Sequence, residues 1–261
     1  MLQIKIGIQL GCLKMPFKRA LETAARLGAS AVEIDARSEL KPSEMSRTAV
    51  RHLRKKLEDL NLEVSAVTFQ TRRGYGDIDD IERRVDATKD AMKMAYDLGT
   101  NVVVNQIGRI PDPAETEQRS LLVATLTDLG RTSQKVGAFL AARTGTEDGE
   151  TLKELIDELS PGSIAVDFDP GNLIINGFSA AEAVKVLGAH IIHVHARDGV
   201  QDLAQGRGLE VPLGRGSADF PNLLGTLEEH QYRGFLTIQR DKPEDPVVEV
   251  GHAVSFLNSI G

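Results

Sequence analysis

Eight predicted strands alternate with eight predicted helices along the chain, and this alternation constrains the fold more than any other feature. The strands are short runs rich in Val, Ile and Leu, and each is followed by a segment with apolar residues at helical spacing. Strict alternation of this kind predicts a parallel sheet covered by helices. Eight such units in about 250 residues are typical of a closed (β/α)₈ barrel. We therefore predict an α/β fold, with one TIM-barrel domain over residues 1–261.

The element boundaries follow from periodicity and from punctuating Gly and Pro residues. The predicted strands are 4–10, 31–35, 62–69, 101–107, 136–143, 163–169, 191–198 and 234–239. The predicted helices are 17–27, 42–60, 78–98, 114–134, 152–159, 180–187, 220–229 and 247–257. A doubly wound open sheet is the competing fold, but the first strand-to-helix turn (residues 10–13) lacks the Gly-x-Gly-x-x-Gly pattern of dinucleotide-binding sheets.

Composition excludes several classes of function. The net charge of −7 argues against a nucleic-acid surface, which needs a basic stripe. One Cys allows no intramolecular disulfide, and the first residues do not resemble a signal peptide. No apolar run approaches the roughly 18 residues that span a bilayer. We expect a cytoplasmic protein that binds a small molecule, neither a membrane nor nucleic acid.

Polar residues follow the apolar part of several strands, most clearly in the seventh, where the run from Ile191 ends in His195, Arg197 and Asp198. In parallel barrels the C-terminal ends of the strands form the rim that binds ligands. A carboxylate and an imidazole on adjacent strands could hold Mn, Mg or a similar ion. The other candidates at strand ends are Glu33, Asp35, Asn105, Gln106, Arg143, Asp169 and Gln239.

Each candidate also has a structural interpretation. We expect His193 to pack among helices as a hydrogen-bonded side chain, and Asp167 to leave the face opposite to that of Asp169. Asp198 is suited to capping the loop that follows it. Glu33 is equally suited to a solvated rim charge, and Asp169, which precedes Pro-Gly, to a turn.

Four passages in order resemble the sugar phosphate isomerase/epimerase family, the xylose isomerase-like TIM barrels. Three are residues 31–35, 169–173 and 193–198, and the fourth is a closing run made of residues 211–221 and 232–240. Each motif alone is weak, but their order and spacing match along nearly the whole chain. The resemblance is specific for the family and not for a substrate.

The resemblance implies a divalent ion, Mn, Mg or Zn, held by a Glu, an Asp, a His and a second Glu at the ends of the fifth to eighth strands. The two Glu residues of the family also shuttle a proton between adjacent sugar carbons. Asp169 and His195 match the family's Asp and His, whereas Arg143 and Gln239 stand at the Glu positions. The predicted metal ligands are therefore Asp169, His195 and Gln239. Asn172 replaces a His that often follows the Asp.

Because Arg143 and Gln239 differ from the Glu residues that the resemblance implies, two functions stay open. The first is a sugar or sugar phosphate isomerase or epimerase with a degenerate metal site, whose catalytic positions are Glu33, Arg143 and Gln239. Neither Arg143 nor Gln239 can abstract a proton, so Glu33 is the only base we nominate. The alternative is a metal-free, non-catalytic barrel for a carbohydrate or sugar acid, in which Arg143 replaces the metal, pairs with Asp169 and bonds Gln239.

The predicted substrate-binding residues are Asn172, Arg197 and Arg215, and the expected ligand is a sugar or sugar phosphate. Gly and Arg in residues 205–208 and 214–216 suit phosphate binding, although a mobile loop with solvated Arg side chains explains them equally well. The family also includes endonucleases with a His-rich multi-zinc site, which this acidic, His-poor chain does not match. Similarity to the family suggests a homo-oligomer, but no residue pattern selects its size.

Overall fold

A computed structural model describes residues 4–202 and 207–261 and confirms the closed (β/α)₈ barrel. Eight parallel strands close the barrel, and each lies beside the next strand of the barrel along the chain. The barrel strands are β1 (Ile6–Gln9), β2 (Ala31–Asp35), β3 (Glu63–Thr68), β4 (Val102–Asn105), β5 (Phe139–Arg143), β6 (Ala165–Phe168), β7 (Ile191–Ala196) and β10 (Leu236–Ile238).

Helices cover the outside of the barrel. They are α1 (Phe17–Arg26), α2 (Arg47–Asp59), α3 (Ile81–Leu98), α4 (Thr116–Val136), α5 (Gly149–Glu158), α6 (Pro170–Ile175), α7 (Ala180–Leu187), α8 (Phe220–Glu229) and α9 (Pro246–Ile260). No helix within the described residues is long and apolar enough to cross a bilayer.

The two faces of β2 show how the strands divide the protein into layers. Val32 and Ile34 are fully buried in the apolar cluster that joins the strands to the helices. Glu33, between them, instead contacts polar side chains of β1 and β3. Successive strand residues point to opposite faces, so the same strand supplies the outer core and a charged side chain inside the barrel.

Several predicted boundaries are shifted, including the starts of the helices predicted at 78 and 152, which lie at Ile81 and Gly149. Two further boundaries are wrong for local reasons. The fifth strand begins at Phe139 because α4 continues to Val136 and ends at Gly137, whose φ of 83° is favourable only for glycine. The predicted helix 42–60 begins only at Arg47, because the Ser46 side chain accepts a hydrogen bond from the backbone of Ala49 and caps it there. A separate 3₁₀ turn, Pro42–Glu44, precedes it.

The segment after β7 forms a small antiparallel hairpin over the C-terminal end of the barrel. Its strands are β8 (Asp198–Val200) and β9 (Leu209–Val211). Gln205 and Gly206 of the predicted phosphate-binding loop lie outside the described residues. An additional short helix, α6, follows β6 directly and was not predicted.

Candidate functional site

Five buried ionisable side chains meet inside the barrel, towards the C-terminal ends of the strands. Glu33 comes from β2, Arg143 from β5, Asp167 from β6, and His193 and His195 from β7. Four are fully buried, and Arg143 is 7% exposed. We call this group the ionic cluster. Parallel strands direct their carboxyl ends to one rim, and residues far apart in sequence therefore meet there.

Asp167 is the centre of the ionic cluster. Its Oδ2 accepts a hydrogen bond of 2.9 Å from Arg143 Nε. Its Oδ1 lies 2.8 Å from Nδ1 of His195 and 2.8 Å from Nδ1 of His193. Arg143 Nη2 lies 2.9 Å from His195 Nε2. The guanidinium therefore contacts both the carboxylate and the imidazole.

Glu33 approaches Nε2 of His195, whereas Asp167 approaches Nδ1 of the same ring. Oε1 of Glu33 accepts hydrogen bonds from Gln9 Nε2, at 2.8 Å, and from the Thr68 hydroxyl. Its Oε2 lies 2.8 Å from His195 Nε2 and 3.7 Å from His193 Nε2. The shorter approach is an ion-pair contact without well-aligned hydrogen-bond geometry, since Oε2 has no hydrogen-bond partner among the described residues.

The charges of the ionic cluster shift the pKa values of its members. Burial and the Arg143 charge lower the pKa of His195, but Asp167 and Glu33 outweigh them and raise it to about 9. Burial raises the pKa of Glu33, but the charges of His195, His193 and Arg143 lower it to about 2. At neutral pH, Arg143 and protonated His195 therefore balance the ionised Glu33 and Asp167.

Two expectations about side-chain direction are wrong. His193 does not pack among the helices, because Nε2 lies 2.9 Å from the Thr237 hydroxyl inside the barrel. Asp167 does not leave the face opposite to the site and instead contacts His193 and His195. Strand residues two apart point to the same face, so His193 joins His195.

The predicted pairing of Arg143 with Asp169 is also wrong. β6 ends at Phe168, and Asp169 caps α6, where its Oδ1 accepts a hydrogen bond from Asn172 N at 2.8 Å. Its Oδ2 accepts a bond of 2.9 Å from Arg197 Nη1. Asp169 therefore lies just beyond the end of β6 and bonds Arg197 rather than Arg143. Asp167, within the strand, is the partner of Arg143 instead.

Arg197 organises a second charged network above the ionic cluster. Besides Asp169, its guanidinium bonds Glu210 at 3.1 Å and Asp241 at 2.8 Å. Gln239 Nε2 donates to Asp241 Oδ1 at 2.9 Å and forms no hydrogen bond to Arg143, contrary to the prediction. The predicted metal ligands Asp169 and Gln239 therefore belong to this network, and His195 belongs to the ionic cluster.

These networks border a cavity of about 840 Å³ at the mouth of the barrel, which we call the mouth cavity. Arg143, Asn172, Arg197 and Gln239 line it, as predicted for site residues. Arg215 is exposed and lies outside its lining. The structure thus brings four of the eight predicted catalytic, binding and metal-ligating residues to the lining of one cavity, while their roles stay predictions.

Asp198 has the capping role that the sequence also allowed. Its carboxylate accepts four backbone hydrogen bonds of 2.8–3.1 Å, from Gly199, Gly214, Gly216 and Ala218. It is 1% exposed and holds the loop after β9 against the hairpin. Asp198 is therefore a structural residue of the mouth.

The residues present can be tested against the divalent ion that the resemblance implies. Glu33, His193 and His195 offer donor atoms within 4.8 Å of one another and by distance could hold a metal ion. However, Arg143 Nη2 lies beside His195 Nε2, one of the atoms that would bind the ion. A dication about 4 Å from a guanidinium is repelled by about 8 kcal/mol at an effective dielectric constant near 20, and a nearby carboxylate attracts it by a similar amount. Because Arg143 and protonated His195 already balance Glu33 and Asp167, the cluster has no surplus negative charge for a dication while Arg143 remains there.

Sequence comparison identifies the family. The xylose isomerase-like TIM barrel family matches residues 21–260. The chain belongs to this family. The uncharacterized protein MJ1311 of Methanocaldococcus jannaschii is 26% identical over 177 residues, which are 62% of this chain and 58% of that protein. An inosose dehydratase of Clostridium botulinum is 24% identical over 230 residues, 76% of this chain and 75% of the enzyme.

Solved structures of the family support the same fold. A xylose isomerase domain protein from Planctomyces limnophilus superposes with a TM-score of 0.83 and 24% identity, over 92% of this chain and 91% of that one. The resemblance inferred from sequence motifs is therefore confirmed. At this identity the match establishes the fold and carries no substrate or activity to this xylose isomerase-like barrel.

Sequence reasoning missed several residues of the site. Asp167 was recoverable as a candidate, because residues two apart on a predicted strand are expected to point to one face, and Asp169 was already a candidate. Gln9 and Thr68 end strands β1 and β3, a position that also signals the rim. Glu210, in contrast, lies on a hairpin strand with no distinctive pattern, and only its contact with Arg197 reveals its role.

Proposed function

We propose that this xylose isomerase-like barrel binds a small hydroxylated carbohydrate in the mouth cavity without a divalent metal ion. The position of Arg143 carries the proposal. Its guanidinium bonds Asp167 and lies beside His195, on the strand where the resemblance places a metal-binding Glu. Arg143 and the proton on His195 supply the positive charge that a metal would supply to this group of carboxylates.

The mouth cavity suits such a ligand in size and polarity. Its volume of about 840 Å³ falls in the range of about 300–1,000 Å³ that is usual for small-molecule sites. Amide side chains of Gln70, Gln106, Asn172 and Gln239 line it. Amides both donate and accept hydrogen bonds, as sugar hydroxyls do. The name of the related inosose dehydratases points to hydroxylated ring substrates for those proteins.

An active isomerase or epimerase is the competing proposal, favoured by the buried Glu33 carboxylate, whose Oε2 lacks a hydrogen bond. Proton abstraction next to a carbonyl is most efficient when the pKa of the base is near the working pH. The pKa of about 2 makes Glu33 a weak base at neutral pH. The amide of Gln239 and the guanidinium of Arg143 cannot replace it.

The first test is the metal content of the purified protein by mass spectrometry, followed by thermal unfolding after chelation. We expect no stoichiometric ion, and no rise in Tm when Mn²⁺, Mg²⁺ or Zn²⁺ is returned. D-allulose and myo-inositol, used as probes at saturating concentration, are expected to raise the Tm. A ligand at one hundred times its Kd stabilises a protein by about 2.7 kcal/mol. One ion per chain whose return restores a lost Tm would contradict the proposal.

The second test separates binding from catalysis. A sugar ketose incubated with the protein in D₂O incorporates deuterium next to its carbonyl only if a base exchanges that proton. We expect no incorporation with the wild type. The double variant Arg143→Glu, Gln239→Glu restores both carboxylates of the family and is expected to bind Mn²⁺. Deuterium incorporation by the untreated wild type would favour the isomerase.

A further inference from the structure

We infer that Gln70 and Gln239 determine specificity, and that each accepts a hydrogen bond from a hydroxyl group of a neutral part of the ligand. The inference rests on the proposed function and narrows its substrate class. It concerns the parts of the ligand that meet these two side chains in the mouth cavity. A phosphate or carboxylate group of the ligand does not lie there.

The evidence is a set of unsatisfied buried oxygens. Within residues 4–202 and 207–261, three buried side-chain N or O atoms have no hydrogen-bond partner: Glu33 Oε2, Gln70 Oε1 and Gln239 Oε1. Leaving a buried acceptor unpaired destabilises the fold, and native proteins tolerate few such atoms. Gln70 and Gln239 both line the mouth cavity. A ligand that donates to both oxygens would remove this cost.

The contacts of Gln239 fix which end of its amide is the oxygen. Its Nε2 donates to Asp241 Oδ1 at 2.9 Å. A flipped amide would place Oε1 against the carboxylate, where two acceptors repel each other. Asp241 is itself held by Arg197 at 2.8 Å. The Gln239 oxygen is therefore oriented before any ligand arrives.

Gln70 is held through its backbone. The preceding residue, Phe69, donates its N–H to Val104 of the neighbouring strand at 2.9 Å. The Gln70 carbonyl accepts a hydrogen bond from Arg37 Nη1, and the Arg37 guanidinium lies 5.3 Å from the centre of the Phe69 ring. The backbone at Gln70 is thus anchored on both sides of the residue, which limits the positions that its amide can reach.

Unpaired acceptors select ligands by chemistry. A hydroxyl group donates one hydrogen bond to an amide oxygen, whereas a phosphate dianion or a carboxylate has only acceptor atoms and would be repelled. Such a site rejects an analogue that lacks the donor hydroxyl, because the buried acceptor of the protein then stays unpaired. Gln239 thus has a different role from that of the Glu at this position in the family, which shuttles a proton.

Leucine substitutions test the pair, because Leu removes the acceptor at similar volume. Isothermal titration with D-allulose and myo-inositol compares the wild type with Gln70→Leu and Gln239→Leu. We expect each substitution to raise the Kd of the more tightly bound probe about tenfold. This factor corresponds to the loss of one hydrogen bond of about 1.4 kcal/mol. Gln134→Leu is the matched control, since Gln134 is exposed on α4, outside the mouth cavity, and should not affect affinity.

Monodeoxy analogues of the more tightly bound probe distinguish a direct contact from a structural role of the Gln residue. A residue that only supports the fold would not change the relative affinities of the sugar and its deoxy analogue. Removal of the hydroxyl that contacts Gln70 should lower the affinity of the wild type about tenfold and leave the affinity of Gln70→Leu unchanged. Without ligand, the Tm of Gln70→Leu should equal or exceed that of the wild type, because an unpaired buried oxygen has been removed. Gln239→Leu also loses the hydrogen bond to Asp241, so its Tm is compared only as a check that the variant folds.

The outcomes separate the inference from the proposed function. If neutral sugars bind the wild type and both Leu variants equally well, the inference is wrong and the proposed function stands. If no carbohydrate binds the wild type, the proposed function fails. If inorganic phosphate competes with the sugar and loses affinity in the Leu variants, the neutral character of this subsite is refuted.

Discussion

Replacing Arg143 by Met tests the role of the ionic cluster most directly. The side chain is 7% exposed, its Nε bonds Asp167 at 2.9 Å, and its Nη2 lies 2.9 Å from His195. Met retains an apolar stem but removes the charge and all donors. In the wild type, Arg143 and protonated His195 balance Glu33 and Asp167. The variant leaves one positive and two negative charges in a buried group.

The expected loss follows from the cost of an uncompensated buried charge. Removing one partner of a buried ion pair destabilises a protein by about 3–5 kcal/mol. For a domain of this size each kcal/mol lowers the Tm by roughly 2–4 °C, so we expect a fall of roughly 6–20 °C. The net negative charge, together with the Glu33, His193 and His195 donors, should also create affinity for a dication. Added Zn²⁺ or Mn²⁺ should then restore part of the lost Tm.

Thermal and urea unfolding, with and without added metal, measure both effects. Arg109→Met is the matched control, because Arg109 is also paired with a carboxylate, at 2.6 Å from Glu115, but its side chain is 63% exposed. Exposed ion pairs contribute about 0–1 kcal/mol, so the control should change the Tm little and gain no metal response. A loss below about 1 kcal/mol in Arg143→Met, with no metal response, would refute the view that Arg143 replaces the metal.

Two further predictions concern the ionic cluster and the mouth loop. Because the pKa of His195 is raised to about 9, its protonation stabilises the fold fully below about pH 6.5, and this stability is lost as the pH rises towards 9. We expect the free energy of unfolding in urea to fall by about 3 kcal/mol between these pH values in the wild type, and not to fall in His195→Gln. An equal fall in that variant would assign the pH dependence to other groups. Asp198→Ala leaves four backbone donors without their acceptor and should cost at least about 3 kcal/mol. Asp219→Ala, which removes a single cap bond of 3.2 Å at α8, should cost about 1 kcal/mol, and similar values for the two Asp variants would contradict the capping role of Asp198.

The sequence predicted much of the fold because its signals are local. Apolar runs, helical periodicity and Gly or Pro residues at helix ends each act within a few residues, and together they predicted all eight barrel strands. The failures at Gly137 and Ser46 depended on which of several adjacent positions served as a cap. Such choices differ by about 1 kcal/mol, and tertiary packing decides between them.

The sequence by itself also determined that the predicted fifth and eighth strands end in Arg143 and Gln239, neither of which is a carboxylate, since residue identity needs no structure. Only the tertiary structure decided which acid pairs with Arg143. Asp167 and Asp169 are two residues apart and chemically identical. The end of β6 at Phe168 turns Asp169 towards α6 and Arg197, and leaves Asp167 facing Arg143. Side-chain direction at the end of a strand depends on the backbone of the next element and on partners from distant strands, and no local pattern encodes either.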